Sequence, residues 1–294
     1  MPTRQKLIAV LALSVLSCAS FGAPKVAWVA SIYKGVVVLK VQLAQQVKKG
    51  QLLFEVNQDI LNVDKKCNER TLKFINEVME GGEKLIKRHS ISMDDYQQCV
   101  RDSDISTAIL KNTDAQIALS KYYAPFDGTV TKIVMYDGSG LGDNDDEVQV
   151  TEGNVKVDTA NQVALVGTRW PGVLTLKVEE GQKVKKGQLL YSINTIDLEA
   201  QIQEAEAKTK YSKITYDRQG KLYHSTTTHA TSLYSYLKSK DEWYKAKAEV
   251  DKLKIQLKQC SGYAPFDGTV TKIYRYSGSG NGAGKPVMDI TALK

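Results

Sequence analysis

The sequence predicts an α+β protein that contains two tandem copies of one unit, each with a helical segment placed between strands. Two repeated segments indicate the duplication. "YAPFDGTVTKI" occupies residues 123–133 and again 263–273, while "VKKGQLL" occupies residues 47–53 and 184–190. The third observation is that the apolar periodicity of each copy changes from strand-like to helix-like and back again.

The spacing of the repeated segments shows where the two copies differ in length. The longer segment recurs 140 positions later, at 263 after 123, and the shorter one 137 positions later, at 184 after 47. The second copy therefore has three extra residues between its two segments. A chain of 294 residues with 42% hydrophobic and 25% charged residues has the composition of a globular protein of about two domains.

Short β-branched runs interrupted by turn residues predict the strands. They occur in "KGVVVLKVQLAQQVKKGQLLFEV", residues 34–56, and in "PGVLTLKVEEGQKVKKGQLLYSI", residues 171–193. In the longer repeated segment a proline and a glycine bracket a turn, and the "TVTKI" that follows alternates as a half-buried strand does. We expect the proline to end the preceding helix and the glycine to set the turn at this structural junction. The junction residues are Pro125, Gly128, Pro265 and Gly268.

Heptad spacing predicts an antiparallel α-helical hairpin in each copy, at about 57–121 and about 195–261. At ~1.5 Å per residue each arm is about 45 Å long. The apolar seam of the second hairpin comprises Trp243, Ala246, Val250, Leu253, Leu257 and Cys260, and the less apolar seam of the first comprises Cys67, Thr71, Phe74, Val78, Gly81 and Leu85.

The hairpin geometry excludes a disulfide between Cys67 and Cys99. With the first tip near residue 89, Cys67 should face a residue near 111 on the opposite arm. Cys99 then lies roughly 18 Å from that position at ~1.5 Å per residue, whereas a disulfide needs Cα atoms within ~7 Å. We therefore expect no Cys67–Cys99 bond within one chain.

The N-terminal residues have the pattern of a secretory signal peptide, which we place at 1–22. A basic start precedes an apolar run that is too short for a membrane span of ~20 residues. The alternative is a lipoprotein signal at Cys18, but Leu16 stands where such signals usually carry a small residue. The remaining charge is mildly positive and spread along the chain, so the sequence gives no indication of nucleic-acid binding.

A β unit split by a helical hairpin resembles the periplasmic adaptor proteins of efflux pumps and type I secretion systems, the membrane fusion or HlyD-like family. "VEEGQKVKKGQLL" and "YAPFDGTV" are similar to the two halves of that family's lipoyl domain. The resemblance implies two tandem lipoyl-like (barrel-sandwich) modules, at 25–157 and 160–294. Too few residues follow each module to form the family's additional β-barrel and membrane-proximal domains.

The resemblance also implies a partner-binding site at the hairpin tips. In the family, a basic residue, a leucine four positions later and a serine seven positions after that contact the outer-membrane channel. The first tip has Gly81 at the basic position, and the second has His229 at the serine position. Because the three extra residues fall within the second tip, the equivalent serine there is Ser232. The candidate partner-binding residues are Leu85, Ser92, Arg218, Leu222 and Ser232. The alternative is that these residues only cap turns.

The function implied by this resemblance is that of an exported adaptor in the periplasm of a Gram-negative bacterium. Such an adaptor bridges an inner-membrane transporter and an outer-membrane channel. Family adaptors present six hairpins in a ring, so a homo-oligomer of three chains would supply the same number. The alternative is a periplasmic structural or binding protein that retains the fold without a transport role.

No catalytic, cofactor or metal site is predicted, so we expect a protein that is not an enzyme. Lipoyl and biotinyl carriers need a lysine between methionines at a β-turn, and no Met-Lys-Met occurs. "GSGNGAGKP" at 278–286 lacks the glycine and hydroxyl residues of a phosphate-binding loop. Asp143, Asp145 and Glu147 resemble a calcium loop, but Val148 replaces its glycine, so we expect a solvated acidic loop there. The three histidines, His89, His224 and His229, lie near the tips without metal-ligand partners.

Overall fold

A computed structural model gives the architecture of the chain. It describes residues 24–33, 35–87, 91–136, 140–141, 146–157, 159, 162–225 and 231–293. The expected signal peptide, with Cys18, lies outside these residues. Within the described ranges, no helix combines the length and the hydropathy needed to cross a membrane.

The first β unit contains two antiparallel four-stranded sheets. Its strands are β1 (Val26–Ala30), β2 (Gly35–Leu39), β3 (Gln46–Val47), β4 (Leu52–Val56), β5 (Lys121–Tyr123), β6 (Gly128–Ile133), β7 (Gly140–Leu141) and β8 (Asp146–Glu152). One sheet has the order β1-β8-β6-β3 and the other the order β5-β4-β2-β7. Residues of both sheets, among them Val37, Leu53 and Val130, are fully buried in one core.

The second β unit repeats this topology strand for strand. Its strands are β9 (Val163–Gly167), β10 (Gly172–Leu176), β11 (Lys183–Val184), β12 (Leu189–Ile193), β13 (Ser261–Tyr263), β14 (Gly268–Ile273), β15 (Gly280–Asn281) and β16 (Pro286–Ala292). The sheet orders are β9-β16-β14-β11 and β13-β12-β10-β15. The α+β class and the internal repeat are therefore present in the structure, as the sequence predicts.

The helices lie between β4 and β5 in the first copy and between β12 and β13 in the second. They are α1 (Asp59–Glu80), α2 (Gly82–Lys87), α3 (Met93–Leu119), α4 (Ile196–Tyr223) and α5 (Leu233–Lys258). We call α1 with α3 the first helix pair and α4 with α5 the second helix pair. Both pairs are antiparallel, because the partner's number falls as the residue number rises. In the first pair Gln58 contacts Ser120 and Lys65 contacts Asp114. In the second pair Glu206 contacts Lys254 and Tyr216 contacts Tyr236.

The Lys65–Asp114 ion pair agrees with the expected register, in which Cys67 faces a residue near 111. The thiols of Cys67, Cys99 and Cys260 are free, and burial raises the pKa of each. Because the thiolate is the reactive form, these side chains should be poor nucleophiles at neutral pH.

The two helix pairs lie side by side, because α1 also contacts α5. The helices form a layer in the order α3-α1-α5-α4. Part of the seam predicted for the first hairpin therefore faces the second helix pair and not the opposite arm of its own hairpin. Thr71 donates a hydrogen bond to Asp241 of α5 at 2.7 Å, and the Phe74 ring packs near Tyr234 of α5. This seam is less apolar than the second because part of it faces the neighbouring pair.

The structure corrects the role expected for Pro125. Helix α3 ends at Leu119, and β5 then pairs with β4 before the proline is reached. The chain therefore re-enters the β unit through β5, and the proline does not end the helix. In the second copy α5 ends at Lys258 and β13 pairs with β12, so Pro265 likewise follows a strand.

The glycines of the junction are explained by the close approach of backbones. A Cβ atom on Gly128 would lie 2.2 Å from the carbonyl oxygen of Thr151, and one on Gly268 would lie 2.5 Å from that of Thr291. Each glycine begins a strand that is hydrogen-bonded on both sides. Neither position has a positive φ. The missing side chain, not an unusual backbone angle, is what these positions require.

Replacing Ala44 by glycine is expected to stabilise the first β unit by about 0.5–1 kcal/mol. Ala44 has a φ of 65°, and the equivalent residue of the second unit is Gly181, with a φ of 84°. Alanine is strained in this left-handed conformation, whereas glycine is not. The urea midpoint should rise for Ala44→Gly and fall for the reciprocal Gly181→Ala. An unchanged or lower midpoint for Ala44→Gly would contradict the strain.

Candidate partner-binding surface at the helix tips

The five predicted partner-binding residues lie at helix ends, namely those ends that are most distant in the sequence from the β strands. Leu85 is in α2, and its side chain lies outside the described residues. Arg218 is exposed and Leu222 is half-buried in the last two turns of α4. Ser92 and Ser232 immediately precede α3 and α5. The structure therefore places these residues at one end of the helical layer without showing contacts among them.

The two serines are helix N-caps with the same geometry. The Ser92 Oγ accepts a hydrogen bond from the Asp95 amide at 3.0 Å, and the Ser232 Oγ accepts one from the Ser235 amide at 3.1 Å. Their backbone angles differ by only a few degrees. This supports the alignment of Ser232 with Ser92. It also means that both serines have a capping role of their own, which is worth about 1 kcal/mol to a helix.

The tips of the two helix pairs share one apolar cluster, which we call the tip cluster. Its buried members are Ile75, Val78, Ile91, Cys99 and Leu237. These residues come from α1, the start of the second arm of the first pair, and α5. The side chains of Phe74, Tyr96, Leu233 and Tyr234 pack against them. The first and second tips are consequently held at a fixed spacing within one chain.

A row of aromatic rings stabilises the second tip. Tyr223 stacks on Tyr236 at 5.3 Å between centroids, Tyr236 on Tyr216 at 5.6 Å, and Tyr216 on Trp243 at 5.4 Å. His224, at the end of α4, meets the ring of Tyr236 edge-on. Of these residues only Trp243 was assigned to the helical seam from the sequence. The seven-residue spacing of Tyr216 and Tyr223, and of Tyr236 and Trp243, is the signal that could have identified the row.

Polar contacts join the helix pairs below the tip cluster. Asp241 is largely buried and contacts both Thr71 Oγ1 and Lys245 Nζ at 2.7 Å. Lys252 of α5 forms an ion pair with Asp64 of α1 at 3.1 Å. Along the same face lies a groove of about 230 Å³, lined by Arg70, Lys73, Phe74, Glu77, Leu237, Lys240, Asp241 and Tyr244. The two helix pairs are therefore bound to each other by specific contacts along the shared face.

The described part of the chain contains no cluster of potential metal ligands. There, no three His, Cys, Asp or Glu side chains cluster as metal ligands would. Glu147, interpreted from the sequence as part of a solvated acidic loop, is buried, and its carboxylate accepts a hydrogen bond from the Ser31 amide at 2.8 Å. The other acidic-loop residues, Asp143 and Asp145, and the tip residues His89 and His229 lie outside the described ranges.

Solved structures that resemble this chain include a candidate efflux transporter, a MacA–MexA chimera and a membrane fusion protein. A candidate efflux transporter from Bacteroides eggerthii DSM 20697 is 25% identical, with a TM-score of 0.41, over 46% of this chain and 41% of that one. A MacA–MexA chimera, which contains the α-hairpin domain of Pseudomonas aeruginosa MexA, is 27% identical with a TM-score of 0.40, over 46% and 48% of the two chains.

The membrane fusion protein Spr0693 from Streptococcus pneumoniae R6 is 18% identical, with a TM-score of 0.36, over 45% of this chain and 62% of that one. This chain therefore spans less than two thirds of the length of each of these three proteins. No protein-family model matches the sequence, and neither does any curated protein.

Proposed function

We propose that this protein is an exported periplasmic adaptor or scaffold that is not an enzyme. In this proposal the two β units are lipoyl-like modules, and each helix pair is the coiled-coil hairpin that such a module carries. The tips contact an outer-membrane channel, while the β units assemble with further copies and with an inner-membrane transporter. The motifs quoted for the two halves of the lipoyl domain, and their repetition, support this assignment.

The single observation that carries the proposal is the joining of the two tips by the tip cluster. A helix pair that only stabilised its own β unit would not need a neighbour packed at its far end. Here α1 and α5 contact each other, and the buried side chains of Val78 and Leu237 lie at the tip end of that contact. Two capped tips are thereby presented together, which suits a docking surface for an elongated partner.

The assembly that fits this arrangement is a trimer. Each chain supplies two helix pairs that are already side by side, so three chains would supply six. A closed ring is a common outcome when identical copies associate head to tail. In this proposal the chain thus replaces two separate adaptor subunits by one duplicated subunit.

Reversing the charge of Arg218 is expected to reduce capture of the channel partner by at least about tenfold, because exposed arginines are frequent hot spots of interfaces. Arg218 is exposed, so the Arg218→Glu variant should keep its circular dichroism spectrum and its melting temperature. The measurement is co-purification of membrane proteins with the tagged full chain from detergent-solubilised native envelopes, quantified by mass spectrometry.

The matched control is Lys185→Glu, which makes the same charge change at an exposed turn of the second β unit. This variant should capture the partner as the wild type does. Equal capture by Arg218→Glu and the wild type would remove Arg218 from the docking surface. Recovery of no channel and no transporter with the wild type would instead favour a structural or binding protein of the periplasm.

A further inference from the structure

The two β units of one chain contact each other through unlike faces. After β6, the carbonyl oxygen of Val134 accepts a hydrogen bond from the amide of Leu165 in β9, at 3.1 Å. The ring of Tyr136 meets Phe266 edge-on, with 5.1 Å between centroids. Gln162 donates a hydrogen bond to the Tyr136 hydroxyl. As a result only 7% of Tyr136 is exposed.

Because the units are repeats, each of them has both faces. We call residues 134–136 of the first unit, and the equivalent 274–276 of the second, the leading faces. We call β9 with Phe266, and the equivalent β1 with Phe126, the trailing faces. Within the chain, the leading face of the first unit covers the trailing face of the second. Among the described residues, one face of each kind is therefore left without an intramolecular partner.

The two faces that are not covered contain the equivalents of the tyrosine and the phenylalanine that meet at the covered faces. Tyr276 is equivalent to Tyr136, and Phe126 is equivalent to Phe266, as the 140-residue offset of the repeated segment requires. Tyr276 is 64% exposed, nine times the exposure of its buried equivalent. A tyrosine ring that is free in one copy and packed on phenylalanine in the other is the kind of apolar surface that marks an interaction site.

The backbone of the trailing face is also available. β1 is an edge strand of its sheet, with β8 on its inner side. No strand in the described parts of the chain pairs with its outer side. Trp28 of β1 occupies the position of Leu165, whose amide donates to the leading face within the chain. The Trp28 side chain is exposed, as is Tyr274 at the position of Val134. Edge strands are ready templates for such pairing.

The helices of the two copies contact each other in the same order as the β units do, first copy against second. Within the chain, α1 of the first copy contacts α5 of the second. The equivalent contact between chains joins α4 to α3, the two outer helices of the layer. Both expose large apolar side chains, notably Tyr211 and Ile214 on α4 and Ile105 and Ile109 on α3.

The charges of this second helix contact differ from those of the first. The positions of Thr71 and Asp241 are occupied by Lys208 and Arg101. Acidic residues stand one helical turn from each cation, Glu204 on α4 and Asp104 on α3. Such spacing of opposite charges places them on the same helix face, where each carboxylate can offset the charge of its neighbouring cation when the two helices meet. The apolar residues above would then supply most of the contact.

We propose that a second copy of this chain docks head to tail, with its trailing face on the leading face of the second β unit. Tyr276 of one copy packs on Phe126 of the next, and α4 packs on α3. This interface repeats between chains the contact that already exists within the chain. The proposal deepens the assembly part of the proposed function and rests on it. Because the contact is heterologous, each added copy exposes the same faces again until a ring closes.

The first test is the mass of the full chain in solution, measured by light scattering on a size-exclusion column. The wild type should be oligomeric, and Tyr276→Ser should raise the dissociation constant at least about tenfold, as loss of a central aromatic anchor does. The control is Tyr263→Ser. Both Tyr263 and its equivalent Tyr123 are exposed, although one face of each unit is covered, so this position belongs to neither face.

The second test separates a head-to-tail contact from a two-fold one. In a background with Cys18 and Cys67 replaced by serine, one tagged chain carries Lys25→Cys and a differently tagged chain carries Arg275→Cys, which lies in the leading face and leaves the Tyr276 ring in place. Lys25 is equivalent to Gln162, which contacts Tyr136 within the chain. A short bis-maleimide should link the two variants when they are mixed and should link neither variant to itself.

Several results would overturn the proposal: a monomeric wild type, an unaltered mass for Tyr276→Ser, or self-linking of Arg275→Cys. The proposed adaptor role fails by a different result. A chain that captures its partners as a monomer keeps the role and loses this interface. A chain that assembles as described but captures no channel or transporter keeps the interface and loses the role.

Discussion

The Gly268→Ala variant is expected to lose about 3 kcal/mol of unfolding free energy, a cost at the upper end for added atoms in a packed site. The new Cβ would lie 2.5 Å from the carbonyl oxygen of Thr291, a backbone atom that cannot rotate away. Relief requires the separation of β14 from β16, which are paired along their length. Chemical denaturation, followed by circular dichroism, should show a midpoint shifted to lower denaturant concentration.

The matched control is Gly280→Ala in the same β unit. No atom lies within 4 Å of a Cβ added there, and its backbone angle suits any residue. Its stability should remain within about 0.5 kcal/mol of the wild type. A Gly268→Ala variant as stable as Gly280→Ala would show that the strands can separate without cost, which would contradict the explanation given for the identical glycines of the two junctions.

The Leu237→Ala variant is expected to lose about 3 kcal/mol of helix-layer stability, because Leu237 is buried in the tip cluster and its truncation leaves a cavity. The effect should extend to function. With the cluster weakened, the two tips are no longer held at one spacing, and capture of the channel partner should fall together with the stability. Thermal unfolding and the envelope co-purification described above measure the two effects.

The control for this variant is Ile196→Ala at the exposed start of α4. It removes side-chain atoms of the same kind from the surface and should change neither measurement. If Leu237→Ala lowered the melting temperature but captured the partner as the wild type does, the spacing of the tips would not matter for docking. In that case the cluster would serve only the stability of the helices.

The sequence predicted the class of the fold and its repeat because those depend on local patterns. Three such patterns can be read directly from the order of the residues. They are the strand alternation in "TVTKI", the heptad steps around Val250 and Leu253, and the offsets of 137 and 140 residues between the repeats. The structure agrees with them in the strands β6 and β14, in the burial of those two side chains, and in the two capping serines.

The packing of one helix pair on the other could not be predicted in this way. Periodicity shows that a side chain such as Thr71 faces another element, but it does not say which one. From the sequence, Thr71 is only one of the residues that make the first seam less apolar. In the structure it is the partner of Asp241, which is 170 residues away in the sequence. Likewise, helix periodicity alone could not show that Pro125 is preceded by β5.

The pairing of β4 with β5, and of β12 with β13, determines where the chain can change in length during evolution. Both arms of a helix pair leave from adjacent, hydrogen-bonded strands. A residue inserted in one arm would rotate every later side chain on that helix by about 100° relative to the other arm. The three additional residues of the second copy fall between Leu222 and Ser232, beyond the last turns of α4. Gain or loss of residues is therefore tolerated between the two helices of a pair, where a new partner can be accommodated without altering either scaffold.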